Sequence, residues 1–113
     1  MSILSAIFGS KSEDSEQLKV LNAEIFKKAI TNKAVQLVDV RTPREFASGH
    51  IGKAINIDYF SKETFQKDFD KLSRNQPVYL YCQSGNRSRK AAKRLIQMGF
   101  NEIYDLKGGL LAW

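Results

Sequence analysis

Pro77 is followed by Val78-Tyr79-Leu80-Tyr81-Cys82 and then by Gln83-Ser84-Gly85-Asn86-Arg87-Ser88, so one short loop joins an apolar run to an amphipathic one. The four β-favouring residues after the proline predict a buried strand. From Arg87 onward, Ala91, Ala92, Leu95 and Ile96 share one face of a helix, while Arg89, Lys90, Lys93, Arg94 and Gln97 share the other. A strand that passes directly into such a helix restricts the chain to folds in which helices dock on a sheet. The loop between them can turn successive backbone N–H groups inward and form a concave anion site, reinforced by the helix N-terminus. Cys82, the only cysteine, stands at the base of that loop. A thiol there is placed as a nucleophile facing an anionic substrate.

The alternation continues along the chain. Leu18–Leu21 predicts a first strand. Asn22 then caps a helix in which Ile25, Phe26, Ala29 and Ile30 share a face, with Glu24 and Lys28 four apart on the other. Residues 35–40 predict a second strand. Thr42-Pro43 opens a brief helix, because proline is tolerated where its missing N–H costs nothing, and Gly49 ends it. Residues 54–57 predict a third strand. Ser61 is expected to cap a helix reaching about Leu72, with Phe65, Phe69 and Leu72 inward. Gly99 closes the helix after the cysteine loop, residues 102–106 predict the last strand, and Gly108-Gly109 leads into a turn of helix at Trp113. Trp113 and the phenylalanines are expected in or near the core. Alternating elements with short connections predict an α/β fold, a mainly parallel sheet of about five strands with helices on both faces. In such sheets ligands sit beyond the carboxyl ends of the strands, where Cys82 falls.

A chain of 113 residues has room for one domain, expected over 18–113. Residues 1–17 read as a mobile tail, in which Ile3, Leu4, Ile7 and Phe8 precede a polar stretch. No basic residues precede that stripe, which is also short for a secretory leader. No apolar run approaches the ~20 residues that span a bilayer. A cytoplasmic protein is expected. One cysteine forms no internal disulfide, and with His50 as the only histidine neither a metal site nor a cofactor is expected. The net charge of +6 reads as solvated Lys and Arg on helix faces. Without an aromatic-rich RNA-binding signature or a long basic run, no nucleic-acid partner is expected. A monomer is the default.

Taken together, Asp39-Val40-Arg41, Glu45-Phe46, Gly49-His50-Ile51, Ala54, Asn56, the Cys82–Ser88 loop, Gly99-Phe100, Leu106, Gly108-Gly109 and Trp113 resemble the rhodanese (sulfurtransferase) family. The likeness covers nearly all of residues 18–113, and relatives continue for several residues past the position of Trp113. It implies that Cys82 attacks the outer sulfur of thiosulfate or a similar donor and becomes a persulfide, which a thiol, cyanide or a thioredoxin-like acceptor then discharges. The backbone of Gln83, Ser84, Gly85, Asn86, Arg87 and Ser88 would form the cradle, with Arg87 holding the anionic donor.

Two alternatives stand beside this reading. One is a thiol-dependent oxyanion enzyme, an arsenate reductase or a phosphatase; the other is a non-enzymatic rhodanese-like docking module. Phosphatases with a related loop place arginine six residues after the cysteine, where this chain has Ser88, and Tyr81 replaces the histidine that often precedes their cysteine. Asp39 and Arg41 are expected to form an ion-pair clamp at a strand end, with orientation of catalytic groups as the other reading. His50 is expected to be structural, as its stretch mainly is in this family.

Overall fold

Five short parallel strands carry the architecture in the computed structural model, which describes residues 15–113. They are β1 (Leu18–Leu21), β2 (Gln36–Asp39), β3 (Ile55–Asn56), β4 (Val78–Tyr81) and β5 (Ile103–Leu106), in the spatial order β1-β5-β4-β2-β3. Every pairing is parallel. β4 is the central strand, and burial on both its faces explains why it reads as a continuous apolar run rather than an alternating one.

Successive side chains of a strand point to opposite faces. Val78, Leu80 and Cys82 therefore pack in one layer, against Phe65 and Phe69 of α3 (Lys62–Phe69) and Ala91, Ala92 and Leu95 of α4 (Asn86–Gln97). Tyr79 and Tyr81 face the other layer, formed with Phe26 of α1 (Ala23–Ile30) and Phe46 of α2 (Pro43–Ala47). Helices thus cover both faces of the sheet.

The local signals act largely as read. Asn22 caps α1, its side-chain oxygen accepting from the Ile25 N–H at 2.9 Å. Thr42 and Glu45 form a reciprocal capping box at α2, with Pro43 in the first turn. Gly99, at φ +97°, follows the last residues of α4, and the Phe100 N–H closes the end by donating to the Leu95 carbonyl.

Five expectations are corrected. Ile25 is 49% exposed and only Phe26 of α1 is fully buried, since one residue along a helix is a rotation of about 100° and carries Ile25 out of the stripe. Ser61 makes no capping bond; its hydroxyl instead accepts from Thr64 at 2.6 Å, and α3 stops at Phe69, short of half-buried Leu72. Phe60, placed among core phenylalanines, is 63% exposed. Trp113 is 45% exposed and meets Phe26 edge-on at 6.2 Å.

Most of the expected tail, residues 1–17, lies outside the described residues. Within 15–17, the Gln17 carbonyl already accepts from the Ile103 N–H at 2.8 Å, so sheet pairing begins one residue before β1. No helix among the described residues is long and apolar enough to cross a membrane.

Candidate active site

The loop after β4 is shaped by Gly85, whose φ of +102° is left-handed and costs a residue with a Cβ. Gly85 is also the N-cap of α4 and has no side chain with which to cap it. The Cys82 sulfur takes that part. The Gly85 N–H donates to Sγ at 3.0 Å, and the Ser88 N–H, from the first turn of α4, donates at 3.4 Å. The thiol in turn donates to the Ser88 hydroxyl at 3.4 Å, which donates to the Gly85 carbonyl at 3.3 Å. Negative charge on this sulfur meets two aimed N–H groups and the positive end of a helix.

Cys82 is fully buried and also packs in the apolar layer of α3 and α4, as an inert core thiol would. The three polar contacts of its sulfur separate it from that reading. Ser84 and Asn86 are exposed on the loop and Gln83 is half-buried.

The terminal 3-10 turn, Gly109–Ala112, supports the loop from behind. The Leu110 N–H donates to the Cys82 carbonyl at 2.9 Å and the Leu111 N–H donates to the Gln83 carbonyl at 3.1 Å. Sequence reading found the turn but not this contact.

Asp39 and Arg41 meet at the end of β2. The Asp39 carboxylate accepts from Arg41 Nε at 3.0 Å, from Nη2 at 2.7 Å and from the Arg41 backbone N–H at 2.9 Å. Arg41 also donates to the Gly49 carbonyl at 2.7 Å and to Gln83 Oε1 at 3.4 Å. The pair therefore ties β2 to the segment after α2 and to the cysteine loop. Asn56 adds donations from its side-chain amide to the Asp39 and Arg41 carbonyls.

Arg87 is turned away from a free donor-binding pose. Its two terminal nitrogens donate to the two oxygens of Glu45 at 2.7 and 3.0 Å, and the guanidinium lies 5.5 Å from the Phe60 ring centroid. Arg87 sits close enough to Cys82 for the two to interact electrostatically. Arg89 is likewise paired, its Nε 3.1 Å from Oδ2 of buried Asp105. Sequence reading did not assign Glu45 a role; the Thr42-x-x-Glu45 capping pattern was the signal that fixes its position.

Arg87, first among the causes, holds the Glu45 carboxyl at about 2, well below the ordinary 4.5, aided by donors from Thr42. A carboxyl with a depressed folded value stabilises the fold above its unfolded value and loses that contribution as pH falls. Stability from this pair is thus expected to be complete above about 4.5 and to fade between there and about 2. The Glu45 side chain is 33% exposed, so solvent screening limits the effect to about 1 kcal/mol. Urea melts across that pH window should show the fall in the parent protein and a flatter profile in Glu45→Gln.

His50 does not reach the sulfur. Its Nδ1 lies 3.1 Å from the Phe46 carbonyl, and its ring stacks on Phe46 at 3.8 Å. Tyr81 accepts from the Ile51 N–H in the same layer, and burial pushes its phenol up. An open groove of about 1070 Å³ lies there too, lined by Lys27, Lys33, His50, Lys53, Leu110 and Trp113 among others, but by none of the Cys82–Ser88 residues.

Comparison with known proteins matches the fold and identifies a family. The family model described as "Rhodanese-like domain" matches residues 22–113. An uncharacterized protein of Bacillus subtilis (strain 168), YqhL, is 41% identical over 96 residues, 85% of this chain and 72% of that protein. A rhodanese-like domain protein from Staphylococcus aureus superposes with a TM-score of 0.72 at 31% identity, over 84% of this chain and 90% of that one. A rhodanese-related protein from Thermoplasma volcanium gives 0.71 at 33% identity, over 84% and 89%.

Proposed function

The chain belongs to the rhodanese-like domain family, and from that premise we propose that it is a sulfurtransferase working through a persulfide on Cys82. The observation that carries the reading is the pair of N–H donors, from Gly85 and Ser88, aimed at a sulfur that opens a helix. In the first half-reaction the Cys82 thiolate attacks the outer sulfur of the donor. A bond forms between Sγ and that sulfur, the donor's own S–S bond breaks, and the leaving group departs with the electron pair, as sulfite from thiosulfate or as a thiolate from an organic persulfide. In the second, an acceptor such as a small thiol, cyanide or a thioredoxin-like thiol attacks the outer sulfur and returns Cys82 to its starting state. Two displacements on one nucleophile imply ping-pong kinetics.

The donors already aimed at Sγ are positioned to share the charge of the Cys82 thiolate, the nucleophile of the first displacement and the leaving group of the second. Gln83, Ser84 and Asn86 would supply the rim, and Arg87 with Glu45 one wall. The arginine's commitment to Glu45 counts against a phosphatase, whose loop must present a guanidinium to phosphate. A thiol that cycles between free and sulfurated forms suits a reducing compartment, and the cytoplasm is the location this chemistry favours.

The test is the intact mass of reduced protein before and after exposure to thiosulfate and to an organic hydropersulfide, beside Cys82→Ser. The expected result is one added sulfur atom on the parent protein alone, removed by cyanide. An unmodified Cys82 after every donor would overturn the assignment.

A further inference from the structure

We propose that Glu45 sets the donor specificity of this site, neutralising Arg87 so that the site favours an organic hydropersulfide over a dianionic donor such as thiosulfate. The proposal rests on the sulfurtransferase reading and specifies its substrate.

The argument starts from charge. Three arginines lie in or beside the cysteine loop, and each is paired with a carboxylate: Arg41 with Asp39, Arg87 with Glu45, and Arg89 with Asp105. The rim positions Gln83, Ser84 and Asn86 are neutral. Thiosulfate brings two negative charges to a thiolate and releases a sulfite that carries two, so its reaction calls for an uncommitted cation at the mouth. The cation nearest that duty, Arg87, spends both arms of its fork on both oxygens of Glu45. Glu45 is held in turn by the Thr42 N–H at 3.1 Å and the Thr42 hydroxyl at 3.0 Å, so the carboxylate is anchored from the helix side as well. A dianion must either displace it or approach alongside it, against like charge.

A hydropersulfide asks for less. The Cys82 thiolate attacks the terminal sulfur of R–S–SH, the Sγ–S bond forms, and the S–S bond of the donor breaks. R–S⁻ leaves with the electron pair and Cys82 is left as Cys–S–SH; the donor's reacting group enters neutral and leaves with the one negative charge that the Cys82 thiolate held. The organic group also finds a surface. Phe60 stands 63% exposed beside Arg87, and Leu111, 73% exposed, belongs to the loop-supporting turn and donates its own N–H to the Gln83 carbonyl. Apolar groups at the mouth offer contact to a carbon-bearing donor and nothing to an inorganic anion.

The experiment measures single-turnover sulfur uptake on Cys82 by intact mass, with thiosulfate and with cysteine hydropersulfide, whose ammonium and carboxylate charges cancel. The readout is the ratio of the two rates, because hydropersulfides are intrinsically the more reactive donors. Glu45→Gln keeps an oxygen for Thr42 while releasing the charge of Arg87, and should raise the thiosulfate-to-hydropersulfide ratio by roughly tenfold. Arg87→Gln strands Glu45 as an unpaired anion and should move the ratio the other way by a similar factor, so the proposal remains testable if either variant fails to fold. Uptake from both donors with an unchanged ratio in the folded variants overturns the role of Glu45 and leaves the sulfurtransferase reading standing. No uptake from either donor in the parent protein overturns both.

Discussion

Asp39→Ala is expected to lower folding stability by about 3–5 kcal/mol, the scale for breaking a buried ion pair from one side. Asp39 is fully buried and Arg41 is 4% exposed, so the substitution leaves a guanidinium inside the protein with the Gly49 carbonyl and Gln83 Oε1 as its remaining hydrogen-bond acceptors among the described residues. It also deprives the Arg41 backbone N–H of its acceptor. Small domains are stable by about 5–15 kcal/mol in total, so the variant should be marginal at physiological temperature. Denaturant melts of three proteins separate the causes. Asp39→Ala alone should fall steeply. Arg41→Lys should fall less, since it keeps the charge but loses the fork that grips both carboxylate oxygens. The double variant Asp39→Leu with Arg41→Met should recover a large part of the loss, because it removes both charges together. A double variant as unstable as Asp39→Ala would mean that the Arg41 contacts to Gly49 and Gln83, rather than the buried charge, hold this corner.

That corner also shows which parts of the site the sequence made legible. Asp39 and Arg41 are two residues apart at a strand end, so their proximity follows from the backbone alone, and a clamp was the natural reading. Cys82 was legible because an apolar run, a glycine and an amphipathic helix occur in immediate succession and fix the thiol at a helix N-terminus. The Glu45–Arg87 pair was not, because 42 residues and two strands separate its members. Nothing in local pattern says that a capping-box glutamate turns its remaining capacity toward the cysteine loop. Ile25 and Phe60 fail for a related reason. Apolar character states what a residue gains by burial, but the width of the neighbouring layer decides whether there is room, and Phe60 instead lies against a guanidinium. Ser61 has the right residue type for a cap and the wrong backbone, its φ and ψ of −89° and 89° aiming the hydroxyl elsewhere.

Gly109→Ala is expected to cost about 2–5 kcal/mol, combining left-handed strain with overpacking, and to disable sulfur uptake even in the fraction that stays folded. Gly109 has φ of +61°, which alone penalises alanine. The larger effect is contact. A Cβ built there would lie 2.5 Å from the Cys82 carbonyl oxygen and 2.6 Å from the Gln83 carbonyl carbon and oxygen. All three atoms are backbone, so no flexible side chain can swing aside, and either the terminal turn or the cysteine loop must move. The two hydrogen bonds that join them, from Leu110 to Cys82 and from Leu111 to Gln83, span this same interface. Their loss would release the carbonyl side of the loop whose amide side aims Gly85 and Ser88 at the sulfur. The check is a stability melt together with single-turnover uptake corrected for the folded fraction, set beside a buried substitution at the amino end of edge strand β1, Leu18→Ala, which should lower stability without slowing uptake. If uptake per folded molecule were equal in the two variants, the terminal turn would serve the fold alone; a selective loss in Gly109→Ala would make it part of the apparatus that holds the cysteine loop in shape.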